Sequence, residues 1–338
     1  MIPAVLPLIG RRLLASVLIL VAVSALLFVV LHALPVDPAA MSLPPNATLA
    51  EIEAKRQEMG LDRPLPQQYL IWLSQVVHGD FGSSILYRRS AVSLVAATLP
   101  ATIELAVLSI IIAAVLGLAG GLLMFHVRGT GTEAVVDVGS IVLLSVPEFL
   151  WGLFFVLIFG VALQWLPFTG RLDPGLRLPQ GSGFLLADAL MAGRTDIFWS
   201  ALRHMILPGF ALGIAFSPAI MRVLRSSLID VYQEDYIDTA RLRGLSERRI
   251  LLRHALKNAF LPTLSLMGVQ FGFLFGGTLL VEVIFSYPGL GNLMVDAVRN
   301  ADLPIIQLVG LAYCAVVLAI NTAVDSLYLL LNPKLRLW

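Results

Sequence analysis

Residues 105–125 read LAVLSIIIAAVLGLAGGLLMF, a run without a charged side chain. A helix needs about 20 mostly apolar residues to cross the hydrocarbon core of a bilayer, and this run meets that requirement. Further apolar runs lie at residues 13–31, 138–163, 205–221, 259–281 and 303–324. The sequence therefore predicts an all-α polytopic membrane protein with six transmembrane helices.

The composition of the whole chain agrees with this architecture. Of the 338 residues, 58% are hydrophobic and only 13% are charged, and the mean hydropathy is +0.87. A typical soluble domain carries about 25% charged residues, so this composition excludes a water-soluble enzyme. The net charge of +1 gives no reason to expect nucleic acid as a partner, and the single cysteine excludes an internal disulfide.

Charge asymmetry predicts the side on which the ends lie, because six crossings place both termini on the same side. The stretch between the fourth and fifth apolar runs then shares that side. It contains Arg222, Arg225, Arg241, Arg243, Arg248, Arg249, Arg253 and Lys257. The opposite side carries many of its basic residues in one long loop, and long loops cross a membrane largely regardless of charge. We therefore expect both termini to be cytoplasmic.

Three regions follow from these spans. Residues 1–33 hold the N-terminus and first transmembrane helix, residues 34–100 form a loop, and residues 101–338 form a five-helix core. The loop combines a polar helical stretch at 49–59 with turn residues and an aromatic segment, which predicts a small folded periplasmic cap. The second outer segment, residues 168–203, is rich in Gly and Pro and predicts irregular structure.

The sequence lacks the usual catalytic motifs. No G-x-x-x-x-G-K-[ST] loop is present and no lysine follows a glycine, so the chain is not expected to hydrolyse nucleotide. The absence of His-Glu-x-x-His and Cys-x-x-Cys leaves no support for a metal site. Ser109, Ser145 or Ser265 with His204 leaves an intramembrane protease as a distant alternative, because serines in membrane helices more often bond to their own backbone.

Acidic residues in or beside apolar runs are costly and are often functional. Glu104 and Glu282 fall near the predicted outer ends of spans, where their carboxylates are expected to reach water. Glu148 is the most interior and follows Pro147, whose missing amide hydrogen opens the helix backbone. Pro147 and Glu148 are therefore candidates for a translocation path, and an acid satisfied by freed backbone groups is the equal alternative.

Small residues at helical spacing predict close helix packing. Gly117-x-x-x-Gly121 lies in the second span and Gly272-x-x-x-Gly276 in the fifth. Such pairs let two helices approach closely in lipid, so both faces are expected to contact protein, either in this chain or in another subunit. Asp325 near the end of the sixth span is expected to hold helices together.

The most informative segment, residues 234–258, reads EDYIDTARLRGLSERRILLRHALKN. Its first half has helical composition, and Gly244 interrupts the pattern. Ser246 is suited to cap a second helix, in which Ile250, the following leucines and Ala255 alternate with basic residues. We expect a helix-turn-helix whose apolar stripe docks on a cytoplasmic partner. A basic amphipathic helix lying on anionic lipid is the alternative.

Within this segment, Thr239-Ala240-x-x-x-Gly244 resembles the loop signature Glu-Ala-Ala-x-x-x-Gly of permease subunits of binding-protein-dependent ABC importers. The signature's usual ending is replaced by His-Ala-Leu-Lys at 254–257, as in the dipeptide/oligopeptide/nickel branch. Similar landmarks of that branch are LPVDP at 34–38, GLDRP at 60–64, HGDFG at 78–82, FSYPGLG at 285–291 and NP at 332–333. A valine at position 36 stands where a glycine is usual. The resemblance spans nearly the whole chain and is closest to the first of two permease subunits.

That resemblance implies a type I ABC importer permease fold in a bacterial inner membrane. A second homologous permease would complete the path, two cytoplasmic ABC ATPase subunits would bind ATP and Mg²⁺, and a periplasmic binding protein would deliver the ligand. The chain itself would bind no cofactor and would not be an enzyme. Its ATPase-coupling loop, residues 226–258, would use Glu234, Thr239, Ala240, Arg241, Arg243, Gly244, Leu245 and Glu247.

In that loop, Gly244 would supply the turn and Ala240 would allow close packing. Di- or oligopeptides are the expected substrates, and nickel or glutathione is the alternative within the family. An ion-coupled secondary transporter that uses Glu148 is the alternative from another class, and it would transport without ATPase subunits.

Overall fold

The computed structural model describes residues 6–33, 37–44, 46–58, 60–177 and 181–331. The helices in chain order are α1 (Leu6–His32), α2 (Pro38–Met41), α3 (Leu49–Glu58), α4 (Leu65–Val77), α5 (Ala91–His126), α6 (Glu133–Ser145), α7 (Glu148–Phe155), α8 (Leu185–Met191), α9 (Thr195–Val231), α10 (Asp235–Leu242), α11 (Glu247–Arg249), α12 (Leu256–Ile284), α13 (Leu290–Arg299) and α14 (Leu303–Leu331). Two π-helical segments, Val156–Ala162 and Ile250–Ala255, follow α7 and α11. This part of the chain contains no strand, in agreement with the predicted all-α class.

The centre of the bundle is the parallel pair α5 and α9, which pack through small residues. A Cβ added to Gly117 would lie 2.6 Å from the Cβ of Ile220, and one added to Gly121 would lie 2.9 Å from that of Leu224. Larger residues at these two positions would separate the helices. The first predicted glycine pair therefore contacts protein within this chain.

The two ends of the bundle are named by the segments that lie there. The end at which α9 meets α10 is called the loop side, and the end with the turn between α12 and α13 is called the elbow side.

Five helical segments are long and apolar enough to cross a membrane, namely α1, α5, α9, the segment Glu247–Ile284 and α14. The sixth crossing is broken, because α6 meets α7 and its π-helical extension at 96°. Glu133 of α6 pairs with Arg225 near the loop-side end of α9. Beyond the π-helical segment, Arg171 pairs with Glu104 near the elbow-side start of α5. The broken pair thus joins opposite ends of the bundle.

Helix α9 is longer than its apolar run predicts. It covers Thr195–Val231, with Pro208 and Pro218 buried inside it, whereas the sequence predicted a short span at 205–221. Neighbouring helices can satisfy the backbone groups that a proline frees, so prolines do not end a buried membrane helix. The prediction of irregular structure over 168–203 is also partly wrong, since α8 and the first turns of α9 lie there.

Helix α14 packs between α12 and α1 in antiparallel fashion. Gly272 of α12 faces Val317, whereas a Cβ on Gly276 would meet nothing within 4 Å. The second predicted glycine pair therefore contributes only one close contact within this chain. Arg12 of α1 forms an ion pair with Asp325 of α14, so Asp325 holds two helices together on the loop side.

The region predicted as a cap contains α2, α3 and α4. Helix α4 lies along α1, because the Tyr69 hydroxyl is 2.9 Å from Ser24 Oγ and the Trp72 ring centroid is 5.7 Å from that of Phe28. The position of this region on the periplasmic side stays a prediction. The sequence landmarks at 34–36 and 332–333, and both chain termini, lie outside the described residues.

Candidate functional site

Helix α10 is amphipathic, and its inner face anchors it to the bundle. Ile237 is fully buried and Ala240 is 7% exposed. They share an apolar cluster with Phe125, Leu224, Leu228, Ile250, Ala255 and Ala259. These residues belong to the loop-side ends of α5, α9 and the membrane span Glu247–Ile284, so three membrane helices meet beneath α10.

The turn after α10 depends on Gly244. Its φ of +73° lies in the left-handed region, where a side chain is strained, although a Cβ there would meet nothing within 4 Å. The Gly244 amide donates to the Arg241 carbonyl at 2.9 Å, and the Leu245 amide donates to the Ala240 carbonyl. The backbone conformation, rather than limited space, therefore requires glycine at this position.

Arg241 fastens α10 to α11. Its Nε donates to Glu247 Oε1 at 2.7 Å, and its Nη1 donates to Asp238 Oδ1 at 2.9 Å. The hydrogen bond to Glu247 raises the pKa of the Arg241 guanidinium, which keeps its positive charge. The sequence expectation gave Arg241 and Glu247 separate contacts with an ATPase, but the structure brings them together. Their side chains remain 42% and 61% exposed, so contact with a partner stays a prediction.

The outer face of this segment is open. Glu234, Thr239 and Arg243 are exposed, and Leu242 between them has 89% of its surface accessible. Leu245 is half-buried against the apolar cluster beneath α10. Residues 234–247 are here called the hook. Their outward surface offers charged side chains around one exposed leucine.

The predicted apolar stripe of the second helix does not form an unpartnered face. Ile250 and Ala255 are fully buried in the chain's own core, and only Leu252 keeps half of its surface exposed. The helix continues from Glu247 to Ile284 as part of a membrane span, and Ser246 makes no side-chain cap hydrogen bond. The stripe is internal because the second helix of the predicted pair is the beginning of α12.

Pro147 and Glu148 lie at the break between α6 and α7. Pro147 is extended, with ψ of 149°, and Glu148 begins α7. Glu148 Oε1 lies 3.1 Å from where a Cβ on Gly277 of α12 would be, and Leu212 of α9 lies beside the same glycine. The carboxylate therefore reaches between α9 and α12, and Gly277 provides the space that it needs.

The elbow between α12 and α13 contains a buried carboxylate. Glu282, which the sequence placed near water, is fully buried and accepts the Gly291 amide at 2.6 Å. Phe285 and Tyr287 of the FSYPGLG stretch are buried as well. In the sequence this stretch is only a family landmark, whereas in the structure the Glu282 carboxylate accepts a hydrogen bond from its backbone at Gly291.

Glu104 is a second correction on the elbow side. Its side chain is 8% exposed, it pairs with Arg171 at 2.6 Å, and it accepts the Leu186 amide at 2.9 Å. Arg171 also donates to the Gly183 carbonyl. The ion pair ties α5 to the loop before α8. Glu104 was predicted to reach water because it lies near the end of a span, and its partner Arg171 is too distant in sequence to be recognised from local patterns.

Among the described residues, no group of three His, Cys, Asp or Glu side chains could hold a metal ion.

The five spanning helices, the broken helix pair and the hook are the features expected of a polytopic membrane transport subunit. The family model of the binding-protein-dependent transport system inner membrane component matches residues 117–337, and the model of its N-terminal part matches residues 5–106. The chain belongs to this family and is a multi-pass inner membrane permease subunit of an ABC importer, which works with other components of such a system. The predicted family is thereby confirmed.

The relatives match over their full lengths. The di/tripeptide transport system permease protein DppB of Pseudomonas aeruginosa (strain UCBPP-PA14) is 36% identical, over 97% of this chain and 98% of that protein. The glutathione transport system permease protein GsiC of Shigella flexneri serotype 5b (strain 8401) is 37% identical, over 96% and 97%. The inward-facing MetNI methionine ABC transporter structure aligns with a TM-score of 0.53 and 16% identity, over 71% of this chain and 96% of that chain, which shows the shared fold.

Proposed function

We propose that the chain is one of two homologous permeases that form the membrane path of an ATP-driven importer for di-, tri- and oligopeptides. Glutathione, itself a short peptide, is the second candidate substrate. The observation that carries this proposal is the full-length similarity to a di/tripeptide permease and to glutathione permeases at 36% and 37% identity. Nickel is the remaining alternative from the sequence.

The proposed orientation places the loop side in the cytoplasm. The basic residues 222–257 cluster there, at the end of α9 and the start of α12. Two ABC ATPase subunits would bind the hook and supply ATP hydrolysis with Mg²⁺, so this chain would be neither an enzyme nor a cofactor-binding protein. A periplasmic binding protein would deliver the ligand on the elbow side.

The packing beneath α10 supports a mechanical role for the hook. A displacement of α10 acts on Ile237 and Ala240, which are buried against the ends of α5, α9 and α12. Helices α5 and α9 are in glycine-mediated contact and would move together. Arg225 of α9 pairs with Glu133 and Asp137, so the broken helix pair would follow.

Glu148 is proposed to line the path because it lies at the break of α6 and α7 and reaches between α9 and α12. Its half-buried carboxylate would interact with the ammonium group of a passing peptide. Pro147 would contribute by keeping the backbone open at this point. In an ion-coupled transporter the same carboxylate would bind the ion instead. The energy source, ATP or an ion gradient, therefore distinguishes the importer from the ion-coupled transporter.

The test is uptake by proteoliposomes that contain this chain, its partner permease, the two ATPases and the binding protein. We expect ATP-dependent uptake of labelled dipeptide, which unlabelled peptide but not Ni²⁺ abolishes, with labelled glutathione as a parallel arm. The Glu148→Gln variant should lower the uptake rate while ATP hydrolysis persists. Uptake by this chain alone under an ion gradient would overturn the proposal.

A further inference from the structure

A cavity of about 430 Å³ lies on the elbow side, between α1, the α2–α4 region and the first turns of α14. Its lining comes from these elements and from residues 80–85, and none of it comes from α7, α9 or α12. The cavity is therefore separate from Glu148 and from the hook. Neither the proposed path nor the proposed coupling uses it.

One glutamine side-chain oxygen in its lining is buried without a hydrogen-bond partner within the described residues. Gln68 Nε2 donates to the carbonyls of Leu61 and Arg63, but its buried Oε1 accepts nothing. Gln307 of α14 also lines the cavity and is only 7% exposed. Burying an unpaired amide oxygen is costly, so Gln68 Oε1 in the lining favours an occupant that can donate a hydrogen bond.

The cavity lies at the depth where lipid headgroups begin. Helix α1 has 27 residues, a length of about 40 Å at 1.5 Å per residue, so its last turn with His32 extends past a hydrocarbon core of about 30 Å. Just below, α1 presents exposed Leu26 and Val29, and α4 presents exposed Leu70. Tyr69, which packs against Phe28, is an aromatic residue of the type found at membrane interfaces.

The lining matches a lipid headgroup with both charges. Lys55 supplies a donor for a phosphate, and Asp80 supplies a carboxylate for an ammonium group. Lys55 also pairs with Glu58, and Asp80 Oδ1 accepts the Gly82 amide, which leaves two ammonium hydrogens and Asp80 Oδ2 available. Because the charged groups lining the cavity carry both signs, they favour a zwitterionic ligand over an anionic one.

We propose that this cavity binds the headgroup of a phospholipid with an ammonium group, such as phosphatidylethanolamine, from the leaflet on the elbow side. The phosphate lies toward Lys55, the ammonium toward Asp80, and the glycerol esters reach the Gln307 amide. The aromatic rings of Phe28 and Trp72 cover the apolar part of the lipid. The lipid would join α1 to α4 and α14.

The test is native mass spectrometry of the full chain, purified from membranes in complex with its partner subunits and exchanged into equal phosphatidylethanolamine and phosphatidylglycerol. We expect retained phosphatidylethanolamine in excess of phosphatidylglycerol. The Gln307→Leu variant should retain at least fivefold less. Gln270→Leu, which changes a half-buried glutamine of α12 outside the cavity, should retain the wild-type amount.

Lys55→Gln, on the largely polar helix α3, is a second variant that does not disturb the membrane bundle and should lower retention severalfold. Soluble glycerophosphoethanolamine should compete at millimolar concentration, which separates headgroup recognition from acyl-chain contact. Equal retention by wild type and both cavity variants would overturn the proposal. So would equal retention of the two lipids, a cavity that holds water only, or displacement of the lipid by a dipeptide.

Discussion

The hook and the elbow are built in opposite ways at the two ends of the same bundle. The hook is anchored by two small buried contacts, Ile237 and Ala240, and its ion pairs are exposed. The elbow buries a carboxylate, Glu282, together with Phe285 and Tyr287. A segment with exposed, weak attachments can be moved by a partner at low cost, whereas a buried polar network resists movement. From this difference we expect that a partner would displace the hook while the elbow keeps its shape.

The two ion pairs make this contrast quantitative. Glu104 and Arg171 on the elbow side are 8% and 15% exposed, whereas Arg241 and Glu247 in the hook are 42% and 61% exposed. Removing one partner of a buried pair leaves an uncompensated charge and costs about 3–5 kcal/mol. Exposed pairs contribute about 0.2–1 kcal/mol. The same type of substitution should therefore have very different effects at the two ends.

The largest expected effect comes from Glu104→Ala. It leaves the Arg171 guanidinium buried without its carboxylate and should lower the free energy of unfolding by about 3–5 kcal/mol. Thermal unfolding of the purified protein in detergent measures the loss. The double variant Glu104→Ala/Arg171→Ala should recover part of it. A loss below about 1 kcal/mol would mean that the pair of Glu104 and Arg171 contributes no more than an exposed ion pair.

The second-largest effect is expected from Gly291→Ala, which tests how closely the backbone of the elbow is packed. A Cβ at Gly291 would lie 2.6 Å from Leu279 Cα, a backbone atom that cannot move aside easily. Gly291→Ala should therefore cost about 1–3 kcal/mol. Gly276→Ala in the neighbouring helix, where a Cβ meets nothing within 4 Å, is the matched control and should be neutral or slightly stabilising. Equal losses in both variants, read from the same unfolding curves, would contradict the close packing.

The smallest expected effect is that of Arg241→Gln in the hook. It removes two exposed ion pairs and should cost no more than about 1 kcal/mol. The difference from wild type should shrink further in 1 M salt, where the Debye length is about 3 Å. Unfolding midpoints at low and high salt provide the measurement. A salt-independent loss as large as that of Glu104→Ala would remove the contrast between the two ends.

The crossings were predictable because membrane insertion depends on apolar length, which the sequence displays directly. Residues 105–125 fall within α5, and the break at Pro147 was visible as a proline in an apolar run. The ends of α9 were not predictable from its apolar run, because the buried prolines are tolerated only through packing on neighbouring helices.

The partners of the acidic residues were beyond local sequence patterns. Glu104 bonds to Arg171, 67 positions away, and no periodicity encodes such a pairing. The Gly244 turn was predictable because glycine commonly interrupts a helix and adopts positive φ. The pairing of Arg241 with Glu247 was not predicted, because it depends on how the turn at Gly244 orients α11 relative to α10.

The proposed coupling of this permease to ATPase subunits through the hook is tested most directly by Gly244→Val. Gly129, with φ of +72° and open space, lies in the loop between α5 and α6 outside the hook, so Gly129→Val imposes the same backbone strain of about 1–2 kcal/mol. In reconstituted complexes, Gly244→Val should reach the membrane normally and hydrolyse ATP without importing peptide, while Gly129→Val imports at nearly the wild-type rate. Normal import by Gly244→Val, or equal loss of import in both variants, would contradict the account.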